Sequence, residues 1–169
     1  VATASEMSQE QEDGYYRNMG YEPVRKLGDL FKKYEGDQLR KIKGLVLLND
    51  IDCATDTSWH DYVNNWQVTG YEAPSLDFEF NGMGHKILNG ENLVNLSGTD
   101  RRKTTVLLGG VKGVKNLYLE NIALATSTRE YLLNVHVRST NDKSIFFNCG
   151  LSKYAPKLIK NCSVEATIE

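Results

Sequence analysis

The chain has 169 residues, 40% of them hydrophobic and 25% charged, with a formal net charge of −2 at pH 7. That length suits one ordinary domain with a core of its own. The near-balanced charge lacks the basic footprint of a nucleic-acid binder, and no apolar run approaches the roughly 20 residues of a membrane span.

Val1 to Asp13 are small, polar and acidic, with Glu6, Glu10, Glu12 and Asp13. Such a composition predicts a flexible arm that orders on a partner. The chain starts at Val1 without an initiator Met, a basic segment or an apolar leader core, which reads as a processed product or an excerpt. Tyr15, Tyr16, Met19 and Tyr21 add an aromatic segment, so the first unit is taken as residues 1–21. Pro23 suits the first turn of a helix. Val24, Leu27, Leu30, Phe31 and Tyr34 come after it at helical spacing. The pattern predicts an amphipathic helix from Glu22 to Tyr34, closed near Gly36, that caps the first layer of a β body. Residues 22–43 form this second unit.

From Leu45 the period changes to two, and the third unit is residues 44–169. Leu45, Leu47, Ile51 and Cys53 alternate with Val46, Leu48, Asp50 and Asp52. Residues 54–74 keep neither period and read as a long excursion holding Trp59, His60, Trp66 and Tyr71. The next strand alternates cleanly, with Leu76, Phe78 and Phe80 on one face and Asp77 and Glu79 on the other. Asn81-Gly82-Met83-Gly84-His85 makes a glycine-rich bend before Ile87 and Leu88. Thr104 to Leu108 is a further strand, closed by Gly109, Gly110 and Gly113.

Four stretches then share one pattern: Asn116-Leu117-Tyr118-Leu119, Asn134-Val135-His136-Val137, Asn148-Cys149-Gly150-Leu151 and Asn161-Cys162-Ser163-Val164. A strand unit recurring every 18, 14 and 13 residues predicts stacked layers of chain. Asn116, Asn134, Asn148 and Asn161 are then expected to form a hydrogen-bonded ladder. The three cysteines, Cys53, Cys149 and Cys162, are an odd number and do not make a disulfide framework. Cys149 and Cys162 share a slot of the repeat and read as buried small side chains, with a disulfide or metal pair as the alternative.

Leu47-Leu48-Asn49-Asp50-Ile51-Asp52, then Trp59 or Trp66, then Phe78-Glu79-Phe80-Asn81-Gly82-Met83-Gly84-His85-Lys86-Ile87, resembles the opening of right-handed parallel β-helix proteins. Val114 to Asn121 and Ile159 to Val164 resemble the later layers, including the GLUG-type repeats of bacterial surface proteins. The resemblance runs from Leu45 to Ile168, without the Gly-Leu-x-Gly signature before the Asn-Cys layers. It implies an all-β fold: a short right-handed parallel β-helix, pectate-lyase-like, with the N-terminal amphipathic helix as its cap. Such proteins include adhesins, phage tail spikes and polysaccharide lyases, so fold alone leaves function open.

Asp50, Asp52, Asp77 and Glu79 are the acidic candidates. Each pair has i, i+2 spacing and shares a strand face. If the two strands stack, four carboxylates converge as solvent-facing groups, as Ca²⁺ ligands or as an acid and base for glycoside cleavage. Trp59, Trp66 and Tyr71 either stack on sugar rings or fold onto the body. His60, His85 and His136 lie in separate segments, and no nucleophile elbow accompanies them. The glycine-rich pieces lack the Gly-Lys-Ser/Thr ending of a phosphate loop. No cofactor is expected, and no zinc motif occurs. The expected function is a non-enzymatic structural or attachment module of a larger assembly, in a virion or tail appendage or on a bacterial surface. Its expected partners are other chains, a homotrimer among the options. A polysaccharide-binding or polysaccharide-degrading module is the alternative.

Overall fold

The computed structural model describes residues 8–31, 42–59, 77–90, 106–108, 111–122, 124–126, 128–140 and 156–166. Where the composition predicts a flexible arm, the chain forms helix α1, Gln9–Asn18. Its start is a reciprocal capping box: Gln11 N donates to Ser8 Oγ at 3.2 Å, and Ser8 N donates to Gln11 Oε1 at 2.9 Å. Glu10 and Glu12 in the first turn and Arg17 in the last match the helix dipole. None of its residues is buried, so capping and ion pairs hold it. Arg25 bridges to Glu12 at 2.6 Å and to Asp13, and Arg17 to Glu22 at 3.0 Å, tying α1 to the next strand.

Over residues 22–31, the described part of the helix expected over Glu22–Tyr34, the chain forms strand β1, Tyr21–Val24, and helix α2, Leu27–Phe31. Pairing overrides propensity here. β1 lies parallel to β2, Gly44–Leu47, with Val24 opposite Leu47. Pro23 has no N–H to offer a second neighbour, and among the described residues β1 pairs with β2 alone. Two residues on, α2 drops Leu27 and Leu30 into the core, both fully buried. Its unpaired N-terminal donors are met from outside the helix. Asp56 Oδ2 accepts from Leu27 N at 2.7 Å and Ser58 Oγ from Gly28 N at 2.7 Å, while Asp29 within the helix reaches back to accept from Arg25 N at 3.0 Å. Tyr34 and Gly36, where the expected helix was to end, lie outside the described residues.

The remaining strands are β3 (Ile51–Asp52), β4 (Glu79–Asn81), β5 (Lys86–Leu88), β6 (Val106–Leu108), β7 (Gly113–Glu120), β8 (Leu124–Thr126), β9 (Tyr131–Ser139), β10 (Leu158–Lys160) and β11 (Ser163–Ala166). The fold is predominantly β, and among the described residues every strand pairing is parallel. Among the described residues nine strands share one sheet, while β6 and β8 pair separately. Strands β7 and β9 pair along their first halves with β4 and β10, and along their second halves with β5 and β11. At each midpoint an asparagine, Asn116 or Asn134, has φ 55°. Left-handed backbone is tolerated by asparagine better than by other non-glycine residues, so the bend falls there.

The register stacks like on like. Leu45, Phe80, Val114 and Leu132 oppose one another in turn, all fully buried. So do Ile51, Ile87, Leu119 and Val137, at 2% exposure or less. Each such side chain contributes about 1.5–3 kcal/mol on burial. The core is thus a pair of apolar columns across the strands, closed at one end by Leu27 and Leu30.

Candidate functional site

The asparagine ladder is present and begins one layer earlier than expected. Asn116 Nδ2 lies 3.4 Å from Asn81 Oδ1, Asn134 Nδ2 donates to Asn116 Oδ1 at 3.2 Å, and Asn161 Nδ2 to Asn134 Oδ1 at 3.1 Å. Asn148 lies outside the described residues. The direct Asn134–Asn161 bond makes Asn161 the next rung after Asn134. A second polar row marks the far end of the longer strands. Asn89 Nδ2 donates to Asp52 Oδ1 at 3.1 Å, and Asn121, with φ 55°, exchanges hydrogen bonds with Thr140. Both rows satisfy polar groups at bends that would otherwise strand them beside the core.

The acidic candidates do not converge. Asp50 precedes β3 and accepts from Lys86 N at 2.9 Å, with His85 Nδ1 at 3.2 Å. The Lys86 amide, helped by His85, holds the Asp50 carboxyl below its usual range. Asp52 ends β3 and turns to Ala54 N and Asn89. Glu79 instead sits between Gly44 and Gly113 in the row of β2, β4 and β7, while Asp52 pairs with Leu88. Asp77 is exposed. The two carboxylate pairs therefore serve different stretches of strand and oppose different neighbours. Among the described residues no group of three or more His, Cys, Asp and Glu side chains is placed to hold a metal ion.

Glu79 has a different job. The Tyr131 ring lies flat over Gly113, where an added Cβ would meet it at 2.4 Å, and its hydroxyl donates to Glu79. Lys115 Nζ bridges to the same carboxylate at 3.0 Å. Burial and the Glu79 charge push the Tyr131 hydroxyl pKa well up. On the other side Tyr21 leans over Gly44, 3.0 Å from a Cβ placed there. Tyr21, Gly44, Glu79, Gly113 and Tyr131 thus form one transverse clasp across five strands.

Trp59 folds down into the core at 9% exposure, its Nε1 donating to Asp56 O at 3.0 Å. It is not a stacking platform. Trp66, Tyr71 and His60 lie outside the described residues, as does Cys149. The Cys162 thiol donates to Leu132 O at 3.4 Å.

The face that gathers chemistry is the outer side of β5, β7, β9 and β11. Lys86, Tyr118, His136 and Ser163 oppose one another in one row, and Leu88, Glu120, Arg138 and Glu165 in the next. Tyr118 and His136 stack at 5.2 Å with their planes 22° apart. Asn134 Oδ1 carries no proton, so His136 Nε2 donates to it at 2.8 Å, which leaves Nδ1 to accept from Ser163 Oγ at 2.7 Å in the neutral ring. The two rows, Leu88 excepted, wall a groove of about 320 Å³ with Leu119 and Val137 between them. The signal for it was in the repeat: Tyr118, His136 and Ser163 stand two places after Asn116, Asn134 and Asn161, and Glu120, Arg138 and Glu165 four places after them.

Comparison with family models, with curated proteins and with solved structures finds no match to this chain.

Proposed function

We propose that the chain coils as a short right-handed parallel β-helix and serves as a non-enzymatic structural or attachment module of a larger assembly. Support for the coil comes from the uniformly parallel pairings and from β7 and β9, which each turn through an asparagine and pair on both sides of it. Parallel crossovers are right-handed in about 98% of cases. Asp50 and Asp52 serve as bend residues and Glu79 as a clasp residue, which favours a structural role over glycoside cleavage.

One observation carries the assembly reading. Ile159 opposes the fully buried Leu132, and Val164 opposes Val137, so both continue the core columns. Yet Ile159 is 54% exposed and Val164 47%, with Leu158 beside them at 50%. These are inward positions of a layer left open. A neighbouring chain that covers them buries the apolar columns and pairs the edge that β10 and β11 leave open among the described residues. A phage appendage or bacterial surface protein, built of repeated chains outside the cytoplasm, is the setting that fits, and a trimer is one such arrangement.

Light scattering on the full chain at several concentrations tests this. The expected result is a discrete multimer that Ile159→Lys with Val164→Lys reduces to monomer. Substitution at such exposed positions costs the isolated fold only about 0.5 kcal/mol. A monomer at every concentration refutes the assembly.

A further inference from the structure

We propose that the last layer, β10 and β11, pairs with the same layer of a second copy of the chain across a two-fold axis. The inference rests on the assembly reading above and names its partner. The two ends of the strand stack are unlike. At the first, Val24, Leu27, Leu30 and Leu45 are all fully buried, and Pro23 offers no N–H to an incoming strand. Arg25 and Arg17 tie α1 to β1 and its flank by ion pairs there. At the last, Leu158, Ile159 and Val164 are half exposed, and among the described residues β10 and β11 pair with β9 alone. A head-to-tail stack would set this open layer against the closed end of the next copy. The surface left to meet it is its own, and such an isologous contact requires a surface that complements itself.

The layer turns at Asn161, whose φ of 53° separates the β10 arm from the β11 arm. A two-fold axis that lies along the layer and bisects this turn lays each arm antiparallel over the other arm of the second copy. With the axis between Asn161 and Cys162, Ile159 comes opposite Val164 of the second copy, and Val164 opposite its Ile159. Both are inward positions, because Ile159 opposes Leu132 and Val164 opposes Val137. The two apolar columns therefore run on from one copy into the other. Moving the axis half a residue either way sets Ile159 against Ser163 or Glu165, which face outward, so the period of two fixes the register.

The outward positions in the same register are complementary in charge. Lys160 stands opposite Ser163 of the second copy and diagonal to its Glu165, within reach of a long side chain. The symmetry makes this pair twice. Lys160 and Glu165 are both exposed in the single chain, Glu165 with 72% of its side chain in solvent, so both are available to a second copy.

The test is a charge swap in the full chain, read by sedimentation over a range of concentrations. The parent is expected at twice its chain mass of 19.1 kDa. Lys160→Glu sets carboxylate against carboxylate at both pairs of its own dimer, and Glu165→Lys sets cation against cation. Mixed one to one, the two variants form a dimer in which both pairs attract again. Each variant alone is expected to dissociate roughly tenfold more readily, and the mixture to regain the parent affinity within about threefold. Both changes fall on exposed side chains, and circular dichroism matching the parent confirms that the variants fold. Ile159→Ala removes one apolar contact at two symmetric places and should weaken the dimer about a hundredfold. A mass other than two copies, or variants that do not recover on mixing, overturns the two-fold pairing; the assembly reading survives that result if Ile159→Lys with Val164→Lys still breaks the multimer. A parent chain that is monomeric at every concentration overturns both.

Discussion

Replacing Asn134 separates two tasks that one side chain performs. Its amide donates to Asn116 and accepts from Asn161, and its backbone holds φ 55°. Asn134→Ala removes both ladder bonds and the bond from His136, about 1 kcal/mol each. It also places an alanine in left-handed backbone, at about 1–2 kcal/mol. The sum is about 4–5 kcal/mol, a large share of the stability of a domain this size. Asn134→Gly loses the same bonds but relaxes the backbone term, and is expected to cost about 1 kcal/mol less than alanine. Urea unfolding followed by circular dichroism measures both, provided the slopes agree. Equal costs for alanine and glycine would refute the backbone argument. A cost under about 1 kcal/mol for both would refute the ladder.

The same geometry sets three further outcomes. Gly113→Ala puts a methyl 2.4 Å from the Tyr131 ring and is expected to cost about 1–3 kcal/mol; Tyr131→Ala in the same chain should recover part of it, and strict additivity in the double-mutant cycle would contradict the clasp. Gly82→Ala drives a methyl to 2.4 Å from the backbone oxygen of Asn116, whereas Gly84→Ala meets no neighbour and strains only φ +80°; thermal unfolding should therefore rank Gly82→Ala as the more damaging, and the reverse order would contradict the layer spacing. Asp50 and Asp56 both have lowered carboxyl pKa values. Asp50 is lowered first by the Lys86 amide. At Asp56 burial opposes ionisation, and the bonds from Leu27 and Ser58 outweigh it. Their stabilisation is present above the unfolded value of about 3.9 and is lost as pH falls through the folded values, so Asp56→Asn should flatten the acid limb of the Tm–pH curve. An unchanged acid limb would mean those bonds carry no charge dependence.

Much of the β body was legible because its signals are local. Alternation marked Phe78 and Phe80, and the Asn-apolar-x-apolar pattern marked the ladder positions Asn116, Asn134 and Asn161, though not that the backbone bends there. Helix α1 escaped because it buries nothing, and its sign was the Ser8-x-x-Gln11 box rather than an apolar stripe. The i, i+3 spacing of Val24, Leu27 and Leu30 was real, but it joins a strand end to a five-residue helix, both aimed at one core. Asp50, Asp52, Asp77 and Glu79 misled for a related reason. Spacing along a strand says which face a residue takes, not which strand lies opposite, and Glu79 pairs with Gly44 and Gly113. The clasp and the groove are products of register between layers, which emerges only when the repeats are set side by side.

Hydrogen exchange on β10 and β11 tests the central claim most directly, because it reads whether the open layer becomes covered. The account predicts that amides of residues 158–160 and 163–166 exchange fast in dilute protein and gain protection as light scattering shows multimers forming. Those of β7 and β9 should stay slow throughout, as strands already paired on both sides. Multimers that form while β10 and β11 remain unprotected would contradict it, because the contact would then lie elsewhere on the molecule.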